Sequence, residues 1–449
     1  MSATKLPLRS ERMPTQLPSK VETLKSLPSS SVPDSITRHG KPLRCLLVGY
    51  NGAGNTGSDI RLLTAIDDIR EALGPQTHIT VTSINPERTA AILPQGQGID
   101  VEEVIFTPHR FIPKMWKLTR SHDITFLVEG STFKQNWSPW LLHAYLWAAE
   151  YARWNGNYAV AYAVDVGDLQ RFHAFWTRRI VERMSLTITR TEVARERLVK
   201  FGVHSPVLAT TDTAFRFERQ PERISDTRPV VGLAPIEFFQ WPIRVKLFCP
   251  AEERYKWPLA FTWTAERREL SDKMVERWVK LARHAIETHN VDLQLIAMED
   301  LDTVVCEKIQ TALGPSLSER VKISSAQKVA PSEMVGILRG LDALVTSRYH
   351  ACVLSMGGSV PQMAVSHDER LASIYAELKI EQDYLLDYRQ KDLSQELISK
   401  FDRLMQNRTE ISHQIREMHD SQFVPRCALN KEELRAWALR TFDALPANE

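Results

Sequence analysis

No apolar run in this 449-residue chain approaches the roughly 18 residues needed to cross a bilayer, which excludes a helical membrane span on sequence grounds. The N-terminus also lacks the hydrophobic core of a secretory signal. Cysteine is sparse: Cys45, Cys249, Cys306, Cys352 and Cys427 are scattered, odd in number and without paired spacing. That argues against a disulfide framework or a thiolate zinc site, and leads us to expect reduced thiols in a cytoplasmic protein. Excess charge is missing too, with 57 basic against 55 acidic residues and a formal net of +2. Such balance gives no field strong enough to suggest nucleic acid or an anionic membrane as the main partner. The histidines show no metal-ligand spacing, no Ser/His/Asp arrangement stands out, and no repeat of solenoid period occurs. No metal is expected.

What is present is an ordinary globular balance, 43% hydrophobic and 25% charged, in a chain long enough for about two to three domains. Residues 1–42, rich in Ser, Pro, Lys and Arg, are expected to form a disordered basic tail. From Leu43 the pattern becomes alternating short apolar runs and amphipathic stretches. Buried strands are expected at Leu43–Gly49, His78–Ile84, Ile124–Val128, Tyr158–Val164, Leu186–Thr189 and Pro206–Ala209, with helices between them. A polar stretch, 216–228, reads as a linker. A second series starts at Pro229 and runs through Leu341–Thr346 and Gln362–Val365 to about residue 385, and 386–449 is mostly helical. The expected architecture is therefore α/β: two doubly wound Rossmann-like domains (43–215 and 229–385) facing a cleft, with a helical C-terminus.

Chemistry-bearing residues cluster where strands hand over to helices. Ser347-Arg348-Tyr349-His350 follows the Leu341–Thr346 strand. An arginine fork and a helix N-terminus suit a small anion, and an imidazole two residues on can move a proton near neutral pH. The alternative is that Arg348 pairs with a carboxylate and His350 caps a helix. Gly49 to Asp59 follows the first strand and carries Gly52, Gly54, Asn55, Gly57 and Asp59. It lacks the Lys-Ser/Thr of a Walker loop, and suits either close approach of a ligand or a plain tight turn. Glu129-Gly130-Ser131-Thr132 follows another strand; Glu129 is a base or hydroxyl ligand, and the hydroxyls of Ser131 and Thr132 are expected to cap the next helix. Arg190 is a second cation expected at the cleft rim. The insertion at 237–264 holds eight aromatic residues, from Phe238 to Trp263, expected to be at least partly self-buried.

Taken in order, these motifs resemble the polysaccharide pyruvyl transferase family. The carriers are Gly49 to Asp59, Phe126 to Ser131, Thr187 to Glu192, Thr211-Asp212-Thr213-Ala214-Phe215, and Ser347 to Ala351 with Pro361 and Ser366-His367-Asp368. The resemblance implies a glycosyltransferase B-like fold and transfer of a pyruvyl group from phosphoenolpyruvate, with no other cofactor, to hydroxyls of a saccharide or glycolipid acceptor. It implies that Arg348, Tyr349 and Arg190 bind the donor and that His350 supplies the proton. Gly54, Asn55, Gly57, Asp59, Glu129 and Ser131 then fall on the acceptor side. Glu129, Asp165 and Asp168 depart from the family's glycines and proline, which puts the acceptor in question. Two alternatives stand beside this expectation: a nucleotide-sugar glycosyltransferase of similar fold, and a silent paralogue that binds a glycan or protein. Nucleic acid is not an expected partner, and assembly into a homo-oligomer is left open.

Overall fold

The third strand shows why this chain builds parallel sheets. Cys45, Leu46, Leu47 and Val48 are all fully buried, and alternate residues serve opposite faces. Leu46 and Val48 enter one hydrophobic core, Cys45 and Leu47 the other. A strand apolar on both faces has to be covered on both, which the helices of a doubly wound sheet accomplish. The computed structural model describes residues 35–445 except 97, 136–137, 226, 240–242, 247, 251–252, 257–258 and 368. Most of the expected tail, residues 1–34, lies outside the described residues.

The first domain runs β1 (Ser35–Arg38), β2 (Lys41–Pro42), β3 (Arg44–Asn51), α1 (Thr56–Leu73), β4 (His78–Ser83), α2 (Pro86–Ile92), β5 (Ile99–Glu103), α3 (Pro108–Arg120), β6 (Ile124–Leu127), α4 (Pro139–Trp154), β7 (Tyr158–Val164), α5 (Arg171–Val181), β8 (Leu186–Thr189), α6 (Glu192–Lys200) and β9 (Leu208–Ala209). Strands β3 to β9 form a seven-stranded parallel sheet in the order β5-β4-β3-β6-β7-β8-β9.

The second domain runs β10 (Val230–Ala234), β11 (Ile243–Val245), β12 (Arg254–Lys256), β13 (Leu259–Phe261), α7 (Ala265–His289), β14 (Asp292–Ala297), α8 (Asp302–Leu313), α9 (Pro315–Ser318), β15 (Val321–Ser325), α10 (Pro331–Arg339), β16 (Ala343–Thr346), α11 (Tyr349–Met356), β17 (Gln362–Ser366), α12 (Glu369–Glu377), α13 (Glu381–Tyr384) and β18 (Leu385–Asp387). Six of these strands form a parallel sheet, β15-β14-β10-β16-β17-β18, while β11-β13-β12 is a separate antiparallel sheet within the insertion. The chain closes with α14 (Leu393–Gln406), α15 (Arg408–Met418), α16 (Val424–Thr441) and β19 (Asp443–Leu445). These are the two Rossmann-like domains and helical C-terminal region that the sequence pattern predicts.

In each sheet the chain winds outward to one side of its first strand and then restarts on the other. The restart falls between β3 and β6 in the first domain and between β10 and β16 in the second. Ligands of such sheets bind beyond the strand ends at that point. Four of the turns singled out in the sequence lie there: Gly52 to Asn55 after β3, Glu129 to Ser131 after β6, Ile236 to Phe238 after β10, and Ser347 to His350 after β16.

Two connections tie the domains together. The stretch read as a linker is held by Arg339, whose guanidinium donates to Phe217 O (2.6 Å) and Arg219 O (2.7 Å) there and to Leu354 O (3.2 Å) in the second domain. Helix α16 returns to the first domain, where Leu434, Trp437 and Ala438 join the core under α1. Its buried Asn430 donates to Thr211 O (3.1 Å) and accepts from Thr210 Oγ1 (2.6 Å). Strand β1, inside the stretch expected to be tail, pairs antiparallel with β19 and buries Ile36.

Candidate active site

Strand β16 ends at Thr346, whose hydroxyl accepts from Arg348 N (2.9 Å) and donates to Arg348 O (3.0 Å). That tight turn starts α11 at Tyr349 and fixes where the next three side chains point. Arg348 pairs with two carboxylates from the β14–α8 turn: Nη1 lies 3.0 Å from Glu299 Oε2, and Nη2 bonds Asp302. The alternative foreseen for Arg348, pairing with a carboxylate, is what the structure shows. It lines the cavity between the domains, but its fork is already occupied.

Tyr349 is buried, with the Arg190 and Arg370 guanidinium carbons 4.9 and 5.3 Å from its ring centroid. His350 points across the domain boundary, its Nε2 3.7 Å from Asp212 Oδ2. Burial draws the His350 imidazole below its ordinary value, against the opposing pull of Asp212, so the ring is neutral near neutral pH.

Behind His350 lies a chain of buried charges. Arg190, expected at the cleft rim, is instead fully buried inside the first domain, with one amine 2.8 Å from Asp212 and the other 2.8 Å from Asp165. Both ends of its fork are thus engaged by carboxylates of the first domain. Arg61 adds Nε 3.3 Å from Asp212 and donates Nη2 to Ala163 O (2.7 Å). Lys134 Nζ lies 2.7 Å from Asp165. Burial alone would raise the Asp212 carboxyl, but Arg61, His350 and Arg190 together hold it well below the usual range. Arg190 and Lys134 do the same for Asp165 against its burial. Asp168, the other departure noted in sequence, is exposed and pairs with Arg197.

The glycine-rich turn forms a contact between the two domains. Thr56 N donates to Met298 O (2.9 Å), Asp300 N donates to Gly54 O (3.1 Å), and Asn55 forms a β-bridge with Glu299. Arg88 locks the arrangement with a bidentate pair to Asp300 (2.7 and 3.0 Å) and a bond to Ala326 O (2.7 Å). Gly54 has φ +78°, and any side chain there would meet the Arg88–Asp300 pair. A side chain at Gly57 would meet His350. These glycines let two domains touch. Asn55 caps α1 by accepting from Ser58 N (3.1 Å) and also lines the cavity. Asp59 is buried behind it; burial pushes its carboxyl up to about 7, although Arg88 pulls the other way. Glu129 accepts from Tyr50 N (3.2 Å) and Ser131 N (3.4 Å), which makes it a turn-former. Ser131 reaches the cavity and Thr132 is buried, and neither caps α4, which begins after Ser138.

The cavity measures about 330 Å3 and is lined from both domains by Asn55, Ser131, Lys134, Ile236, Phe238, Met298, Ser347, Arg348, Tyr349, His350, His367, Arg370 and Tyr388. On its second-domain wall Phe238 and Tyr388 are stacked, centroids 4.7 Å apart and planes 19° from parallel, with His367 5.4 Å from Phe238. The sequence indicated no base-binding element in this half. Phe238 belongs to the aromatic insertion and Tyr388 follows β18, 150 positions later, and only the fold brings them together. Lys134 and Arg370 are likewise site residues that carried no local signal. Elsewhere in the insertion Phe261 is buried and Phe248 fully exposed, while Trp241, Trp257 and Asp368 lie outside the described residues.

The fold also gathers histidines that show no ligand spacing in sequence. His284 and His289 both bond Asp402 Oδ1, at 2.7 and 2.6 Å, tying the end of α7 to α14. Two imidazoles sharing one carboxylate oxygen account for this cluster as a structural tie.

No family model matches the chain, and no curated protein matches it by sequence. Solved structures do match in fold. A UDP-N-acetylglucosamine 2-epimerase is 12% identical over 91% of this chain and 100% of its own, with a TM-score of 0.54. The UDP-GlcNAc 2-epimerase of Neisseria meningitidis bound to UDP-GlcNAc gives 11%, 89%, 100% and 0.54 on the same measures. A glycosyltransferase from Rickettsia africae ESF-5 gives 10%, 90%, 100% and 0.53. The glycosyltransferase B-like architecture is thereby established. The resemblance to pyruvyl transferases is not upheld: the matching folds are those of UDP-GlcNAc 2-epimerases and a glycosyltransferase, and the arginine assigned to phosphoenolpyruvate is engaged by Glu299 and Asp302. The enzyme class and the donor expected from that resemblance are corrected accordingly.

Proposed function

We propose that the chain is a nucleotide-sugar enzyme that binds a nucleoside diphosphate sugar in the interdomain cavity and transfers the glycosyl group to an acceptor hydroxyl. The supporting observation is the composition of one wall: a stacked aromatic pair beside cations, beyond the strand ends where the second sheet reverses. A nucleobase is flat, apolar on its faces and matched by the Phe238–Tyr388 platform. A diphosphate is met by Arg370 and the first N–H groups of α11 on the cavity wall. The sugar then lies toward Asn55, Ser131 and His350, on the first-domain side. A neutral imidazole held by an ionised Asp212 is suited to take the proton of an attacking hydroxyl. The matched UDP-GlcNAc 2-epimerase structures favour a nucleotide sugar as the ligand, and the matched glycosyltransferase favours its transfer.

Calorimetric titration with a panel of nucleoside diphosphates tests it. One or more is expected to bind, and Phe238→Ala or Tyr388→Ala to weaken that binding by about tenfold or more, the range measured for base stacking. Absence of binding across the panel at roughly 1 mM, a generous limit for such a pocket, rejects the reading.

A further inference from the structure

The near-zero net charge of the whole chain conceals a local imbalance. Helices α3, α4 and α5 lie on the face of the first sheet opposite α1 and α16, because their buried residues share the core of Leu46 and Val48 and not that of Leu47. Together they carry eight Lys or Arg and a single Glu, in a chain that nets only +2. The single acid, Glu150, is already paired with Arg153 and Arg183. Among the described residues no ion pair engages Arg110, Lys117, Arg120, Arg171, Arg178 or Arg179.

The same three helices expose aromatic rings. Trp116, Trp154, Phe172, Phe175 and Trp176 are 38% to 63% exposed, half of the ten large hydrophobic residues on the described surface. They form contiguous groups: Phe172 and Phe175 both contact Trp176, and Trp116 meets Trp154 at 6.4 Å.

We infer that this face docks on an anionic lipid bilayer, independently of which reaction the cavity performs. Indole and phenyl rings flanked by arginines match the headgroup layer, where rings insert shallowly and cations meet lipid phosphates. A second copy of the chain is a poor occupant, since a two-fold contact would set one acid-poor basic surface against another. The helices are amphipathic and none spans: no described helix is long and apolar enough to cross a membrane. The docking is therefore peripheral, and it leaves the interdomain contacts on the α1 side untouched.

Flotation of the full chain with vesicles of phosphatidylcholine and phosphatidylglycerol, about two to one, at low salt tests the inference. The protein is expected to float with these vesicles, and at least about fivefold less with phosphatidylcholine alone. Phe172→Ser/Phe175→Ser/Trp176→Ser is expected to lower the bound fraction about tenfold or more with an unchanged melting temperature. Arg171→Glu/Arg179→Glu acts on exposed charges only, so it decides the matter if the triple variant unfolds; it is expected to lower binding about tenfold or more. No flotation, equal binding to neutral vesicles, or wild-type binding by the charge-reversed variant overturns the inference. So does a dimer in sedimentation velocity that the triple variant dissociates, or binding to a single-stranded oligonucleotide at salt that abolishes flotation.

Discussion

Replacing Gly57 by alanine sets two well-measured effects against each other, and the sign decides between them. Gly57 is the second residue of α1, where helix propensity alone favours alanine by about 0.5–1 kcal/mol. The added Cβ, however, would stand 2.6 Å from the Cβ of His350, and nearer still to its ring. Ordinary contact begins at 3.4 Å, so a displacement of roughly 0.8 Å is required. A rotamer change cannot supply it, because His350 Cβ is rigidly part of α11. The helix has to retreat, loosening the bridge between Asn55 and Glu299 and the Thr56 N–Met298 O bond. Overpacking of this kind costs about 1–3 kcal/mol, and the fixed backbone puts Gly57→Ala near the upper end. After the propensity gain, a net loss of about 2 kcal/mol is expected, seen as a melting temperature lower by a few degrees. Small-angle scattering should show a larger radius of gyration, and nucleotide affinity should fall because the cavity has walls from both domains. A variant as stable as the parent, or more so, with an unchanged radius would refute the argument that the glycine exists for domain contact.

Three further outcomes follow from the same geometry. Arg348→Met strands Glu299 and Asp302 as buried, uncompensated carboxylates, a loss of about 3–5 kcal/mol in denaturant unfolding; a change below about 1 kcal/mol would show the pair to be incidental. His350→Gln should cut kcat by at least about a hundredfold while leaving nucleotide binding intact, and the parent's acid limb in a pH–rate profile should lie below the ordinary imidazole range; an undiminished kcat removes His350 from the chemistry. Asp59 binds a proton in the folded state that it loses in the unfolded chain between pH 3.8 and about 7, so stability falls as pH rises across that window. Asp59→Asn should flatten that slope and raise stability at pH 8 by up to about 4 kcal/mol, as melting curves at several pH values will reveal.

The parts of the molecule legible in the sequence are those written in short-range pattern. Cys45 to Val48 reads as a buried strand because four adjacent apolar residues need two covered faces. Ser347 to His350 reads as a site because a strand ends and a helix starts around charged groups. Partnership at long range left no trace. Nothing near Arg348 announces that Glu299 and Asp302 will occupy it, and nothing near Arg190 announces Asp165 and Asp212, so both arginines look available in sequence. Gly54 and Gly57 read as a ligand loop because ligand approach and domain approach make the same demand, the absence of a side chain. Phe238 and Tyr388 form a platform only once β10 and β18 lie in one sheet. The basic aromatic face was hidden by averaging, since the rest of the chain balances the charge of α3 to α5.

The return of α16 to the first domain has a bearing on biosynthesis. Ribosomes release a chain in order, and the leading half of a protein commonly folds while the remainder is still being made. Here the leading half is short of Leu434 and Trp437 beneath α1 and of β19 beside β1 until residues near 445 have emerged. The trailing half takes every strand of its sheet from 230–387, but its core also needs Leu397 and Phe401 of α14, Ile415 of α15 and Cys427 of α16, so its wait ends near residue 427. Maturation should thus run against the direction of translation, with the lobe synthesised first being the last to become complete.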